Sequence, residues 1–375
     1  MADTVNWEVL RDLARFRAER GIALSLYLDL APSVTPTAGD LATRLSSLLS
    51  HAARSLGGSL SRDERKSLRR DLDRVSSDVA TDFDRNGAHG LAIFASELDG
   101  LWRRLLLTES VPDSIGVDSE LRLAPLVPLV GRGEGALVAV VGRERGELSR
   151  LRGGRLREVV DRTEDQPGRH DQGGRSQARY QRHIEHLVQE HLQRVAAEVD
   201  RRARRGSDPV VVVTTEETGA SFRELLSTDA LAAIAGWTTA EAHAGPSDLL
   251  AAAEPILAEW RAAEEERAVE RWREEAGRNG RAAAGWDETL AAASEGRVSL
   301  LLYRQGVDRA VWRCPHCGQA SAATGPCPLD GTGMEPADGL EVVVHQTLSG
   351  GGAARALTDR PDLDPVEGIG ALLRY

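Results

Sequence analysis

Apolar positions along the first 130 residues alternate between helical and strand-like spacing. Ser61 and Glu64 form a capping box at the start of one helix, and Asp99–Gly100 is a hairpin turn between two apolar runs. The segment 121–130 closes the region. The pattern predicts an N-terminal α/β domain over residues 1–130, with helices over 7–19, 41–56 and 61–83 and strands over 22–30, 87–95 and 101–107.

A second region, residues 131–279, predicts a mostly parallel α/β core. It has a short apolar strand over 136–141 and a hairpin over 147–160 that turns at Gly153–Gly154. A long helix runs from Ser176, its expected N-cap, to about Arg205. A buried strand over 210–215 and further helices over 219–227, 228–234 and 247–276 follow.

The third region, residues 280–375, is predicted to be an α/β sandwich interrupted by a cysteine-rich insert over 312–336. Its predicted elements are a helix over 286–294, strands over 298–303 and 340–345, and a C-terminal strand within VEGIGALLRY. The chain is therefore expected to be a multidomain α/β protein.

Charge changes the picture in two places. The net charge is −11, yet residues 143–205 hold 16 arginines against 11 acidic residues. This local excess favours an RNA-facing segment, or else reflects a general preference for arginine over lysine. Residues 259–275 are strongly charged, which suits a partner-binding helix or a solvated helix with i,i+4 pairs.

The composition also bounds the cellular context. No run of about 18 apolar residues is present, and Met1–Leu13 lacks a signal-peptide pattern. Cytoplasmic localisation is therefore expected. There is no P-loop, Rossmann glycine pattern or nucleophile elbow. His183, His186 and His191 on the long helix are interpreted as surface or RNA-contacting side chains rather than metal ligands.

The three cysteines predict a structural zinc site. Cys314-Pro-His-Cys317-Gly is a typical zinc knuckle, and Cys327-Pro-Leu-Asp330-Gly repeats it with aspartate in the second ligand position. The predicted ligands are Cys314, Cys317, Cys327 and Asp330, with His316 or His345 as substitutes for the carboxylate. The alternative is a degraded knuckle with three reduced thiols.

The stretch HDQGGRSQARYQR, residues 170–182, is the candidate for chemistry. Two glycines at the start of a helix let the backbone approach another molecule closely, and helix N-terminal amides favour anionic oxygen. Such a tip suits stabilisation of an oxyanion. The alternative interpretation is a loop and a helix cap without chemistry.

Three motifs resemble the archaeo-eukaryotic class I peptide chain release factors and their Pelota relatives. They are QGGRSQARYQR (residues 172–182), GWDETLAAASEGRVSLLLY (285–303) and GIGALLRY (368–375), and they occur in the family's order. The resemblance covers roughly residues 130–375 and is weak over 1–130. It implies a ribonuclease H-like middle domain whose Gly-Gly-Gln loop promotes attack of water on the ester of peptidyl-tRNA.

Carried onto this chain, the family's loop implies catalytic roles at Gly173 and Gly174. Arg175 stands where the family has glutamine. Gln177, two residues later, could replace that glutamine. The tip would contact RNA through its arginines, namely Arg169, Arg175, Arg179 and Arg182.

The same departure supports a second interpretation, a non-catalytic occupant of the ribosomal A site similar to Balon-type hibernation factors. The Asn-Ile-Lys-Ser motif with which eukaryotic release factors read stop codons is absent. The expected function is therefore ribosome rescue or quality control, with peptidyl-tRNA hydrolysis or A-site occupation. The ribosome is the expected partner of a monomeric chain, and binding of a translational GTPase through the third domain is a further possibility.

Overall fold

The structure is a computed structural model, and it describes residues 5–55, 60–81, 85, 87–133, 135–162, 175–205, 208–241, 243–278, 280–358 and 360–375. Two compact units are present, one of Met1–Val130 with Glu265–Tyr375 and one of Gly131–Glu264. In the described part, no helix is both long and apolar enough to cross a membrane. The expected mixed α/β multidomain class is confirmed, while the three domain boundaries stay predictions.

The N-terminal part of the first unit is a four-stranded antiparallel sheet in the order β3-β2-β1-β4. Both faces of this sheet carry buried apolar side chains, because helices cover each face. The bounds are α1 (Trp7–Ala14), β1 (Ala23–Asp29), α2 (Ala38–Ser55), α3 (Arg62–Thr81), β2 (Gly90–Ser96), β3 (Leu101–Leu107) and β4 (Ser114–Asp118). The closing segment holds a 3₁₀ helix, Ala124–Leu129.

The second unit has a five-stranded sheet in the order β7-β6-β5-β8-β9. β5 pairs in parallel with β8, and β8 with β9. β5 pairs antiparallel with β6, and β6 with β7, so only half of the pairings in the predicted mostly parallel core are parallel. The bounds are β5 (Leu137–Val141), β6 (Gly146–Arg152), β7 (Arg155–Asp161), α4 (Arg175–Ala203), β8 (Val210–Thr214), α5 (Glu216–Arg223), α6 (Thr228–Ala233), β9 (Ile234–Thr238) and α7 (Pro246–Gly277).

Helices cover both faces of this sheet. α4 packs on one face through Leu192, Val195 and Val199. α7 covers the other face through Leu249 and Leu257. The antiparallel hairpin precedes the parallel strands along the chain, and the ribonuclease H-like class of this unit stays a prediction.

The C-terminal part of the first unit has a sheet in the order β10-β16-β11-β15 and a small insert sheet in the order β13-β12-β14. The last strand, β16, lies inside the larger sheet, between β10 and β11. The bounds are β10 (Ala282–Ala284), α8 (Gly285–Ser294), β11 (Val298–Arg304), β12 (Ala310–Arg313), β13 (Ala320–Ser321), β14 (Glu335–Asp338), α9 (Gly339–Ser349), β15 (Ala353–Leu357) and β16 (Ile369–Leu373).

The strand predicted over 340–345 is wrong, because these residues lie in α9. The Asp338 side chain accepts a hydrogen bond from the backbone N–H of Glu341 and caps the helix. Val342, Val343 and Val344 are all buried in the core shared with α1 and α8. Burial on several sides of the helix explains the continuous apolar run that suggested a strand.

Candidate functional site

The cysteine-rich insert consists of two knuckles with the same backbone geometry. In the first, the N–H of Gly318 donates to the carbonyl of Cys314 at 3.0 Å, and in the second Gly331 donates to Cys327 at 2.9 Å. Both glycines have positive φ angles, 79° and 73°, which favour glycine because it has no side chain. Asp330 therefore occupies the place in the second knuckle that Cys317 occupies in the first.

The two knuckles bring four candidate ligands together. One ligand atom from each of Cys314, Cys317, Cys327 and Asp330 lies within 4.8 Å of all the others. Sγ of Cys317 and Sγ of Cys327 are 3.4 Å apart, and Sγ of Cys314 is 3.6 Å from Oδ2 of Asp330. Three thiols and one carboxylate at these separations are compatible with a single tetrahedral ion.

The carboxylate of Asp330 is held in its ionised form. The backbone N–H of Thr332 donates to Oδ1 at 2.9 Å, and Nδ1 of His316 lies 2.8 Å from Oδ2. The Thr332 N–H, followed by the His316 ring, lowers the pKa of Asp330 well below its ordinary value. An ionised carboxylate is the form that binds a metal.

Among the described residues, the group of four close ligand atoms includes Asp330 and neither histidine, and substitution by a histidine stays a prediction. His316 contacts the carboxylate instead of joining the ligand group. His345 is buried, and its Nδ1 lies 3.2 Å from Oε2 of Glu120. Glu120 also pairs with Arg313 of β12, so this carboxylate links the insert and α9 to the segment after β4.

The Gly-Gly segment lies only partly within the described residues. Arg169, Gly173 and Gly174 fall outside them, as do the side chains of Arg175, Gln177 and Arg179. The backbone of Arg175 begins the 29-residue helix α4, so Ser176 lies in its first turn and is not the N-cap. Gln177 is in the same turn.

The first part of α4 does not contact the core of its unit through any described side chain. Among the described side chains of α4, Val188 is the first that packs on this core, while Arg182, His183 and Glu185 are exposed. The 13 residues from Arg175 to Leu187 span about 20 Å of helix.

The three histidines of α4 differ in burial. His183 and His186 are exposed, and Nε2 of His186 lies 3.4 Å from Oε1 of Glu190. His191 is completely buried beneath Gly146 of β6, so a surface role is wrong for it. Its position one turn after the start of core packing explains the burial, because α4 turns this face toward the sheet. Neither of its ring nitrogens has a hydrogen-bond partner within the described residues.

Comparison with known proteins agrees with the motif resemblance. A model of the family described as "Bacterial archaeo-eukaryotic release factor family 10" matches residues 122–258. The chain is 29% identical over 218 residues to the "Peptide chain release factor subunit 1" of Methanopyrus kandleri, covering 55% of this chain and 52% of the relative. It is 26% identical to that of Archaeoglobus fulgidus, covering 61% and 60%. The chain thus spans about half of the length of the first relative and 60% of the second.

Solved structures include an archaeal translation termination factor, to which the chain is 18% identical with coverage of 99% of both chains and a TM-score of 0.27. The family and relative matches confirm that the chain resembles the bacterial archaeo-eukaryotic release factors. The matched segment contains the Gly-Gly motif and all of α4.

Proposed function

We propose that this release-factor-like chain acts on the ribosome in rescue or quality control of stalled complexes, by promoting hydrolysis of peptidyl-tRNA. The observation that carries the proposal is the family match over residues 122–258, which includes Gly173 and Gly174 directly before α4. We also propose that the protein is cytoplasmic and monomeric, and that it has three domains, residues 1–130, 131–279 and 280–375.

The chemistry follows from the start of α4. The first backbone N–H groups of a helix have no intrahelical acceptor, so those from Arg175 onward can donate to the oxyanion that forms on the ester carbonyl. Water adds to this carbon and the new C–O bond forms. The bond to the ribose oxygen of the tRNA then breaks, and a proton from the water ends on that oxygen, which gives a free carboxyl group on the peptide and a ribose hydroxyl on the tRNA. Gln177 in the first turn orients the water.

The arginines at this end of α4 supply a separate contribution. Arg169, Arg175, Arg179 and Arg182 pair with RNA phosphates, for which planar guanidinium groups are well suited. The Arg175 end of α4 lies about 20 Å along the helix from Val188, the first described side chain that packs on the core, and contacts at this end would be made away from the core.

The second candidate function is occupation of the ribosomal A site without catalysis. Arg175 favours it, because an arginine keeps the backbone N–H but cannot position water as glutamine does. Association of the C-terminal domain with a translational GTPase is compatible with either function.

Release of labelled peptide from stalled ribosome complexes separates the two candidates. The wild type, Gln177→Ala and Gly174→Ala are compared with the matched control Gln189→Ala, an exposed glutamine further along α4. Release that Gln177→Ala and Gly174→Ala each lower by about 100-fold or more, and that the control retains, supports the hydrolase. If the wild type binds ribosomes but releases no peptide, the result would contradict the hydrolase and support occupation of the A site without catalysis.

We further propose that the two knuckles bind one structural zinc ion through Cys314, Cys317, Cys327 and Asp330. The close approach of the four ligand atoms and the matched knuckle geometry support this site. Zinc would fix the two turns against each other.

The metal content and Co²⁺ spectrum of the purified protein test the site. One zinc per chain and thiolate-to-cobalt absorption are expected in the wild type. Asp330→Cys should hold zinc more tightly because thiolate is the softer ligand, and Asp330→Ala more weakly. Wild-type protein that contains no zinc after purification with added zinc would refute the site.

A further inference from the structure

The β6–β7 hairpin carries four arginines in two directly opposed pairs. Arg150 lies opposite Arg157, and Arg152 lies opposite Arg155. Opposite residues in an antiparallel pair share a face of the sheet, as do residues two apart on one strand. All four side chains therefore leave the hairpin on one face, with neighbours along a strand about 7 Å apart.

This face is extended by the end of α4. Leu151 and Leu156, between the paired arginines, are buried in the core on the other face of the sheet. α4 packs against β6. The pKa of Arg202, near the end of α4, is lowered by desolvation and then by the positive charges of Arg150 and Arg205. We call the six residues the arginine face: Arg150, Arg152, Arg155, Arg157, Arg202 and Arg205.

Acidic residues compensate only part of this charge. Arg150 pairs with Asp208 at 2.9 Å, and Arg202 pairs with Glu198. Within the described part of the chain, the other four arginines form no ion pair, although the charge of Arg152 acts on the carboxyl group of Asp208 at longer range. These four, Arg152, Arg155, Arg157 and Arg205, are exposed.

Such a face costs stability when nothing is bound. Like charges placed directly opposite on a sheet repel each other. The chain as a whole carries −11 and would repel a polyanion at long range, so attraction has to come from a local concentration of positive charge.

We propose that the arginine face binds the phosphodiester backbone of RNA, as a contact surface distinct from the Arg175 end of α4. Arg202 follows Arg175 by 27 positions along α4, which separates the two ends by about 40 Å. Guanidinium groups pair with phosphates in a bidentate manner. The hairpin, residues 146–161, has no aromatic side chain on which a base could stack, so binding is independent of base sequence. The choice of RNA as the polyanion rests on the proposed ribosomal function.

Fluorescence anisotropy with the full chain and a labelled short RNA duplex, at several salt concentrations, tests this surface. The test variant is Arg155→Gln with Arg157→Gln. The matched control is Arg62→Gln with Arg69→Gln, two exposed arginines of α3. The test variant should weaken binding about tenfold or more and reduce the slope of log K against log salt by about 1.4–1.8, since each of the two lost phosphate contacts contributes about 0.7–0.9. The control should bind as the wild type does.

Thermal unfolding separates binding from a structural role. The test variant should unfold at the same temperature as the wild type or higher, because opposed like charges are removed. Unchanged RNA affinity and slope in this variant would overturn the proposal, as would equally strong competition by polyglutamate, which would assign the face to an acidic protein. If the wild type binds RNA through the arginine face but releases no peptide, the result would contradict the hydrolase and still support the arginine face as an RNA contact.

Discussion

Nδ1 of His316 and Oδ2 of Asp330 lie 2.8 Å apart, so a residue between the two cysteines of the first knuckle contacts the candidate ligand of the second. Groups that hydrogen-bond to a metal ligand fix its orientation and its ionised state. The first knuckle thus supplies two thiols and also the contact that positions the carboxylate of the second.

His316→Ala should weaken zinc binding by about 10- to 100-fold without removing the ion, because Asp330 keeps the Thr332 N–H but loses its other partner. Competition with a chromophoric chelator measures the affinity. His243→Ala, another exposed histidine, is the control and should bind zinc as the wild type does. Complete loss of zinc in His316→Ala would instead make His316 a ligand.

A close contact between Gly370 of β16 and Trp272 of α7 fixes the helix on the sheet. A Cβ at Gly370 would lie 2.7 Å from Nε1 and 2.8 Å from Cε2 of the buried indole, which also donates to the carbonyl of Ala283 at 2.9 Å. Gly370→Ala should therefore lower the free energy of unfolding by about 1–3 kcal/mol.

Gly277→Ala is the matched control, because nothing lies within 4 Å of its added Cβ at the end of α7. It should leave stability unchanged or raise it by up to about 1 kcal/mol. Denaturant unfolding measures both variants. Equal stabilities for Gly370→Ala and Gly277→Ala would mean that the indole can move aside without cost.

Features set by local chemistry were predictable from the sequence. The Gly153–Gly154 turn joins β6 and β7 where expected, because two glycines with positive φ suit a tight hairpin. The four ligand residues of the insert come together because their spacing defines the two knuckles. The roles of His316 and His345 were not predictable, since each depends on a partner, Asp330 or Glu120, brought close by tertiary folding.

Features set by packing were not predictable. The run 340–345 has the composition of a strand but forms α9, because Asp338 caps it and its valines are buried among other elements. His191 has no sequence feature that distinguishes it from the exposed His183. The joining of residues 1–130 with 265–375 in one unit depends on contacts between distant segments.

A last prediction concerns Glu341 in the first turn of α9. Its carboxylate accepts hydrogen bonds from the backbone N–H groups of Leu123 and Ala124 at 2.8 Å and 3.0 Å. Burial, the largest influence, raises its pKa from 4.5 to about 7. The folded state therefore binds this proton more tightly than the unfolded state does. The contribution to stability is full below pH 4.5 and is lost as the pH rises to 7.

Glu341→Gln keeps an oxygen acceptor but cannot ionise. The free energy of unfolding of the wild type should fall relative to that of this variant between pH 4.5 and 7, by on the order of 3 kcal/mol. Urea unfolding at intervals of half a pH unit measures the difference between the two proteins. Glu335→Gln, which changes an exposed carboxylate of β14, should show no such slope. A difference between wild type and Glu341→Gln that is constant across this pH range would mean that Glu341 stays ionised in the folded protein.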